Sequence, residues 1–464
     1  MTDVDASLLS ASVFVGMLLA GPTFGIIGDR YGRRPVYVAT TCITLFFGAV
    51  SALAPTFSLL LIARIGMGFG VGGVSVAYGL CSEMLPSATR GRVLLVMNVF
   101  WSAGAIFIAI LAWIVLPTLG WRYLLAFASI PFALLFLFIP FIPESPRFLL
   151  VSGRTEEAHR VMQRVARWNG TVLPPGQLSL AIPIATNAKH VVDSNADRAM
   201  DKILQLVSPS MRSLTLWMWL IWGANSFVYY GLILITPHLM KIIFQRTDVF
   251  FEILITTLAE LPGLLVAGML IHFTTRARAI GIMLSSACIS LLLLLLRHQV
   301  SPWITLCVVM LARMFITGAF ATTYLFTPEI YPTVIRTTAL GLCTCAARVA
   351  GIATPFIANI VYSRSHQAGI ALYASAAFVA AVATHFVTQH TSERLMPDML
   401  VGVDPERRNL SADQSALSDE ETDGMDEEIQ ILLSGDTTLP EYGGGVDYST
   451  PRHRYFGSGA IGGV

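Results

Sequence analysis

Four ionisable side chains interrupt stretches that are otherwise apolar: Arg64, Glu260, Arg313 and Arg348. A charge at the centre of a bilayer costs roughly 2.5–3.5 kcal/mol even on the mildest scale, so each needs a partner or a task. Glu260 and Arg348 lie about ten residues from the ends of their apolar runs, roughly 15 Å at helical rise, which is the depth of a membrane midplane. Polar and aromatic residues accompany them: Tyr78, Asn98, Trp101, Asn225, Tyr229, Tyr230 and Tyr324. This set suits reversible binding of a planar organic ion. Arg348 offers a two-pronged donor to a carboxylate, Glu260 offers a charge or carries a proton, and the rings supply a wall with polar edges. A structural role is equally open, with Glu260 and Arg348 as an ion pair that holds helices together. Covalent chemistry is not indicated. The sequence has no Gly-Lys-Ser/Thr phosphate loop, no metal-ligand cluster and no nucleophile–base motif, so neither enzyme nor cofactor is expected.

The elements that must position these residues follow from the bulk of the chain. Of 464 residues, 55% are hydrophobic and 13% charged, and mean hydropathy is +0.67. A soluble chain carries about a quarter charged residues. The apolar residues fall into eleven runs near 7–27, 35–54, 57–82, 93–116, 122–142, 213–240, 250–271, 279–296, 302–327, 338–362 and 368–388. Each is long enough to cross a ~30 Å hydrocarbon core as helix. The fold class is therefore an all-α polytopic membrane protein. The net charge of +1 gives no footing for nucleic acid, and the six cysteines sit inside or beside apolar runs rather than in a disulfide framework. The glycines from Gly66 to Gly73 read as close helix packing.

Arginine is unevenly shared among the connections. One set holds Arg30, Arg33, Arg34, Arg90, Arg92, Arg147, Arg154, Arg160, Arg164, Arg167, Arg276, Arg278 and Arg336, and the alternate set holds few. The positive-inside rule places the first set in the cytosol, together with the linker 143–212 and the tail from 392 to 464. The tail is rich in Asp, Glu, Ser and Gly and reads as disordered. Within it, Glu428, Leu432 and Leu433 fit an acid-x-x-x-Leu-Leu pattern that a sorting adaptor would read, and Ser418 precedes an acidic run.

An internal repeat organises the spans. "SEMLPSATR" from Ser82 and "PEIYPTVIR" from Pro328 share Glu, Pro and Arg at the same spacing, offset by 246 residues. Each follows a glycine-bearing run that contains an arginine, Arg64 or Arg313. Two related helical halves, 1–142 and 213–391, joined by the linker, account for this pattern.

These residues resemble the major facilitator superfamily. "GDRYGRR" from Gly28 is similar to that superfamily's loop between helices two and three, and "PESPRFLL" from Pro143 to the segment after helix six. "FVYYGLIL", "TLAELPG", "YLFTPEIYPTVIRTTALGL" and "ARVAGIATPFIA" resemble the synaptic-vesicle-glycoprotein-two-related subgroup, close to the organic-ion carriers. The resemblance implies two six-helix halves, here beginning at helix two, with eleven spans. It also implies secondary active transport of a small organic ion by alternating access, an anion or carboxylate being favoured. The alternatives are a transport-inactive receptor or partner-binding protein, and a truncated reading of a carrier gene. A gating role is implied for Asp29, facing a helix N-terminus of the other half, with Arg33, Glu83, Arg90, Glu144 and Arg147 completing a charge network. Glu329 and Arg336 would do the same in the second half, where His272 replaces the acid of the loop. Substrate contact is expected from Asn98, Trp101, Asn225, Tyr229, Tyr230, Glu260, Tyr324 and Arg348. The partners expected are a small organic solute, membrane lipid and a sorting adaptor, in a plasma or vesicular membrane.

Overall fold

The computed structural model describes residues 2–85, 87–173, 201, 203–245, 249–331 and 335–393. Among them there is no strand. Eleven helical stretches are long and apolar enough to cross a membrane, in the places the apolar runs predict. In the first half these are α1 (Asp3–Tyr31), α2 (Arg33–Leu53), α3 (Phe57–Gly72) continued by α4 (Val74–Met84), α5 (Ser87–Val115) and α6 (Trp121–Leu135). Two short helices, α7 (Pro146–Val151) and α8 (Thr155–Trp168), follow. The second half has α9 (Arg212–Phe244), α10 (Phe250–Leu258) continued by α11 (Glu260–Phe273), α12 (Arg276–Leu293), α13 (Pro302–Ile330), α14 (Arg336–Phe356) and α15 (His366–Glu393).

Helix is the form these runs must take, because lipid offers nothing to an unpaired backbone group. Short polar residues set where several begin. Thr2 and Asp5 form a reciprocal capping box at the start of α1, with bonds of 2.8 and 3.2 Å. Thr56, Thr275 and Ser301 cap α3, α12 and α13 through their hydroxyls. Pro355 lies inside α14, and just beyond it the ladder widens to a π turn at Ile357–Val361. A proline withholds its N–H and forces such adjustments. Here the Pro355 carbonyl accepts a hydrogen bond from the Ser7 hydroxyl of α1, at 3.1 Å.

Two glycine crossings set the closest helix approaches. A Cβ at Gly16 would run into the Ile65 carbonyl, which brings α1 against α3. A Cβ at Gly263 would run into the Met314 carbonyl, which brings α11 against α13. The second half packs around one continuous core that includes Met218, Trp222, Leu232, Met283 and Ile316. In the first half the described core cluster is Ala20, Phe24 and Val36.

Candidate functional site

The halves meet along a seam where α1 lies against α14 and α5 against α10 and α11. Midway along it, the Trp101 indole N–H donates to the Tyr229 hydroxyl at 2.9 Å, which joins α5 to α9. Tyr229 in turn donates to Glu260 Oε1 at 3.2 Å. Arg313 donates to the same oxygen through Nε at 3.0 Å and Nη2 at 2.9 Å. Glu260 is 0% exposed and Arg313 4%, so the pair is enclosed by protein. The chain Trp101–Tyr229–Glu260–Arg313 thus runs from one half into the interior of the other.

Arg348 stands apart from that pair. Its Nη1 donates to the Tyr230 hydroxyl at 3.3 Å. The Tyr230 ring meets Phe14 of the first half edge-on at 4.7 Å, and Phe14 fills the space over Gly351. Among the described residues Arg348 has no carboxylate partner. Tyr324 completes an aromatic wall, with ring centroids 4.4 Å from Trp222, 5.4 Å from Phe320 and 6.2 Å from Tyr78 of the first half.

An ion pair between Glu260 and Arg348 does not form, because the partner of Glu260 is Arg313. The Gly263 crossing presses α11 onto α13 and leaves Glu260 facing Arg313, whereas Arg348 is on α14 beside α9. Asn225 is also turned away from the seam. It is fully buried, and its Nδ2 donates to Thr323 at 2.9 Å. Asn98 bonds its own helix at the Leu94 carbonyl, 3.0 Å away. Of the eight binding candidates, Trp101, Tyr229, Tyr230, Glu260 and Arg348 are drawn into two adjoining bonded groups, joined where the Tyr229 and Tyr230 rings touch at 5.1 Å. Sequence reading had not set Arg313, Phe14, Trp222 and Phe320 in the site. For Arg313 the signal was present, since it is a charge inside an apolar run.

At the arginine-rich end the charges cluster within each half. Arg33 pairs with Asp29 at 2.6 Å and lies 3.7 Å from Glu83. Glu144 accepts from the backbone N–H groups of Arg33 and Ser145 at 2.9 Å each and of Arg34 at 3.2 Å. Among the described residues Glu144 is the carboxylate set on the start of α2, in its own half, and Asp29 is paired with Arg33. The physical reason is local. Asp29 lies in the last turn of α1 and Arg33 begins α2, so the turn at Gly32 brings their side chains together, while the first N–H groups of α2 lack acceptors of their own. Gly32, at φ +106°, leaves room, since a Cβ there would meet the Glu144 carboxylate. Arg147 is exposed, and the Arg90 side chain lies outside the described residues. In the second half, Arg276 Nε meets Glu329 Oε2 at 2.8 Å, and Arg336 donates to the Tyr331 carbonyl at 3.4 Å. Further along, in α8, two bonds from Arg154 at 2.8 and 2.6 Å hold the Glu157 carboxyl below its ordinary value. The tail residues Glu428, Leu432 and Leu433 lie outside the described residues.

Residues 1–396 match the family model described as "Sugar (and other) transporter". "Organic cation/carnitine transporter 7" of Arabidopsis thaliana is 35% identical over 429 residues, covering 85% of each chain. "Synaptic vesicle 2-related protein" of Xenopus laevis is 36% identical over 414 residues, covering 84% of this chain and 72% of that one. Among solved structures, the xylose transporter XylE from E. coli in a partially occluded inward-open conformation matches with a TM-score of 0.63. It is 19% identical over 84% of this chain and 88% of that one, a likeness of fold. The buried ion pair, the repeated loop charges and these matches agree: the chain belongs to the sugar (and other) transporter family of the major facilitator superfamily, and its relatives include the synaptic-vesicle-2-related and organic cation/carnitine transporters.

Proposed function

We propose that this membrane transporter carries a small organic ion bearing a carboxylate, bound between the halves and moved by alternating access. One observation carries the reading: Arg348 is half-buried in the seam, held by the Tyr230 hydroxyl at 3.3 Å, with no carboxylate partner among the described residues. A guanidinium in that setting is a ready donor to a ligand carboxylate. The aromatic wall of Tyr78, Trp222, Phe320 and Tyr324 suits the organic part of the same molecule, including a quaternary ammonium. A ligand with both groups is in keeping with the name of the Arabidopsis relative. Asp29, Arg33, Glu83, Arg90, Glu144, Arg147, Glu329 and Arg336 form the gate at the arginine-rich end, which faces the cytosol together with the C-terminal tail. The membrane is vesicular, and Leu432 and Leu433 address the chain to it through an adaptor.

The test is uptake by the purified chain in liposomes of matched anionic, cationic and zwitterionic solutes. Carboxylates should be taken up, Arg348→Ala should abolish their uptake, and Arg348→Lys should reduce it by about tenfold or more, the equivalent of one lost bond of roughly 1.4 kcal/mol. Full carboxylate uptake by Arg348→Ala would overturn the reading.

A further inference from the structure

The buried pair is lopsided. Glu260 Oε1 receives three hydrogen bonds, two from Arg313 and one from Tyr229. Glu260 Oε2 is buried and has no partner. An acid present only to neutralise an arginine does so best through both oxygens against the planar fork. Here every donor converges on one oxygen, and the other lone pairs are kept empty where an unmet acceptor is costly. The oxygen is closed off from solvent. A proton fits it.

We propose that Glu260 Oε2 is the proton site of the transport cycle, and that the Trp101–Tyr229 hydrogen bond couples its occupancy to the position of the opposite half. The proton comes from water in the cavity and returns there, and only an O–H bond forms and breaks. When Oε2 is protonated, Oε1 loses its negative charge and the Tyr229 hydroxyl is held less strongly. Tyr229 is also the acceptor for Trp101 of α5, so the contact between halves loosens with it. The coupling is reciprocal. Separating the halves at Trp101 bares the Tyr229 hydroxyl to the cavity and gives a proton a route to Glu260. The charged and titratable groups facing Glu260 are Arg313 from α13 and Tyr229 from α9, with Tyr230 behind Tyr229. α5 contributes the neutral Trp101, and α12 brings Met283 to the Gly318 side of the same crossing.

The first half has the same crossing without the acid. Gly16 meets Ile65 as Gly263 meets Met314. Three residues before each glycine stand Val13 and Glu260, and one residue before each contact stand Arg64 and Arg313. The proton site is therefore confined to one half, as a device that must bias one half against the other requires. The inference rests on the transport reading for its role in the cycle, but the site itself is tested without any solute.

The experiment is pH-difference infrared spectroscopy of the full chain in liposomes. Acidification of the wild type should bring up the carbonyl band of a protonated carboxyl in a water-free setting. The band should vanish in Glu260→Gln with Arg313→Gln, a pair chosen because it strands no charge. It should persist with a shifted midpoint in Trp101→Phe and Tyr229→Phe. Absence of the band at every pH at which the wild type stays folded overturns the proposal, and so does its survival in the double variant. Unshifted midpoints in Trp101→Phe and Tyr229→Phe overturn the coupling. Uptake of the solute panel is measured on the same vesicles. A band without uptake overturns the transport reading alone, and uptake without a band overturns the proton site alone.

Discussion

The two halves share their scaffold and differ in what the scaffold encloses. Both cross two helices backbone to backbone at a glycine, Gly16 in the first half and Gly263 in the second. Both place an arginine one residue before the point of contact. Both hold an arginine–glutamate contact at the arginine-rich end, Arg33 with Glu83 and Arg276 with Glu329. Yet Arg313 pairs with Glu260, whereas Val13 stands at the corresponding place before Gly16 in the sequence, and the Arg64 Nε is buried without a partner among the described residues. The difference teaches that close helix packing and interior charge are separable parts of this architecture. Glycine fixes where two helices touch, and the residue three positions earlier decides whether that contact holds an ion pair.

The most severe way to break the comparison is to take the arginine out of the second half's pair. Arg313→Gln alone strands the buried Glu260 carboxylate and should cost about 3–5 kcal/mol. The expected outcome is loss of monodisperse protein on gel filtration, with most of it recovered in the double variant. The reverse change sharpens the same point. Val13→Glu should fold while Arg64 is present and fail once Arg64→Gln is added. Equal behaviour of Val13→Glu in both backgrounds would mean that the two crossings are not equivalent.

Next in size are the crossings themselves. Gly16→Ala and Gly263→Ala each push a methyl group into a backbone carbonyl. Overpacking of this kind costs about 1–3 kcal/mol, and the two losses should be similar if the scaffold is shared. Thermal unfolding in detergent reads them directly.

Much of this was legible in the sequence, and the parts that were not have a common cause. Apolar runs mark the spans because the bilayer fixes their length. Asp29 and Arg33 were legible as members of one charge network because a single short loop carries both. The partner of Glu260 was not, because it depends on which face α11 turns toward α13. That is set by Gly263 meeting Met314, far away in the chain. Arg348 and Arg313 are both arginines inside apolar runs, so charge alone does not choose between them. Glu144 was read as one member of a gate. Its contact with the start of α2 appears only when residues 111 and 110 positions apart are brought together.

A smaller effect separates the two halves at the helix that follows each loop. The first turn of α2 is capped from a distance by the Glu144 carboxylate, and that of α12 by the hydroxyl of the neighbouring Thr275, with Arg278 N–H at 3.4 Å. Thr275→Ala removes one hydroxyl cap, worth typically ~1 kcal/mol. Glu144→Ala removes a charged acceptor from three N–H groups and should cost more, about 1.5–3 kcal/mol. Hydrogen exchange at the Arg33 and Arg34 amides should rise in Glu144→Ala and stay unchanged in Thr275→Ala.

The smallest difference expected is between the twin surface contacts. Arg276 and Glu329 meet at 2.8 Å with side chains 41% and 37% exposed, while Arg33 and Glu83 stand 3.7 Å apart with side chains 20% and 19% exposed. Geometry favours the first pair and burial the second. Water and salt weaken an exposed contact even at good distance, and such pairs contribute about 0–1 kcal/mol. The Arg33 guanidinium, by contrast, is shared with Asp29 and lies 6.0 Å from the Phe148 ring, so it loses only part of its surroundings when Glu83 is neutralised. Both Glu83→Gln and Glu329→Gln should therefore shift thermal unfolding little. They should part company in salt: the Glu329→Gln deficit should disappear between low and high ionic strength, and the Glu83→Gln deficit should remain. A Glu83→Gln deficit that salt also removes would place the first-half contact at the surface like its twin.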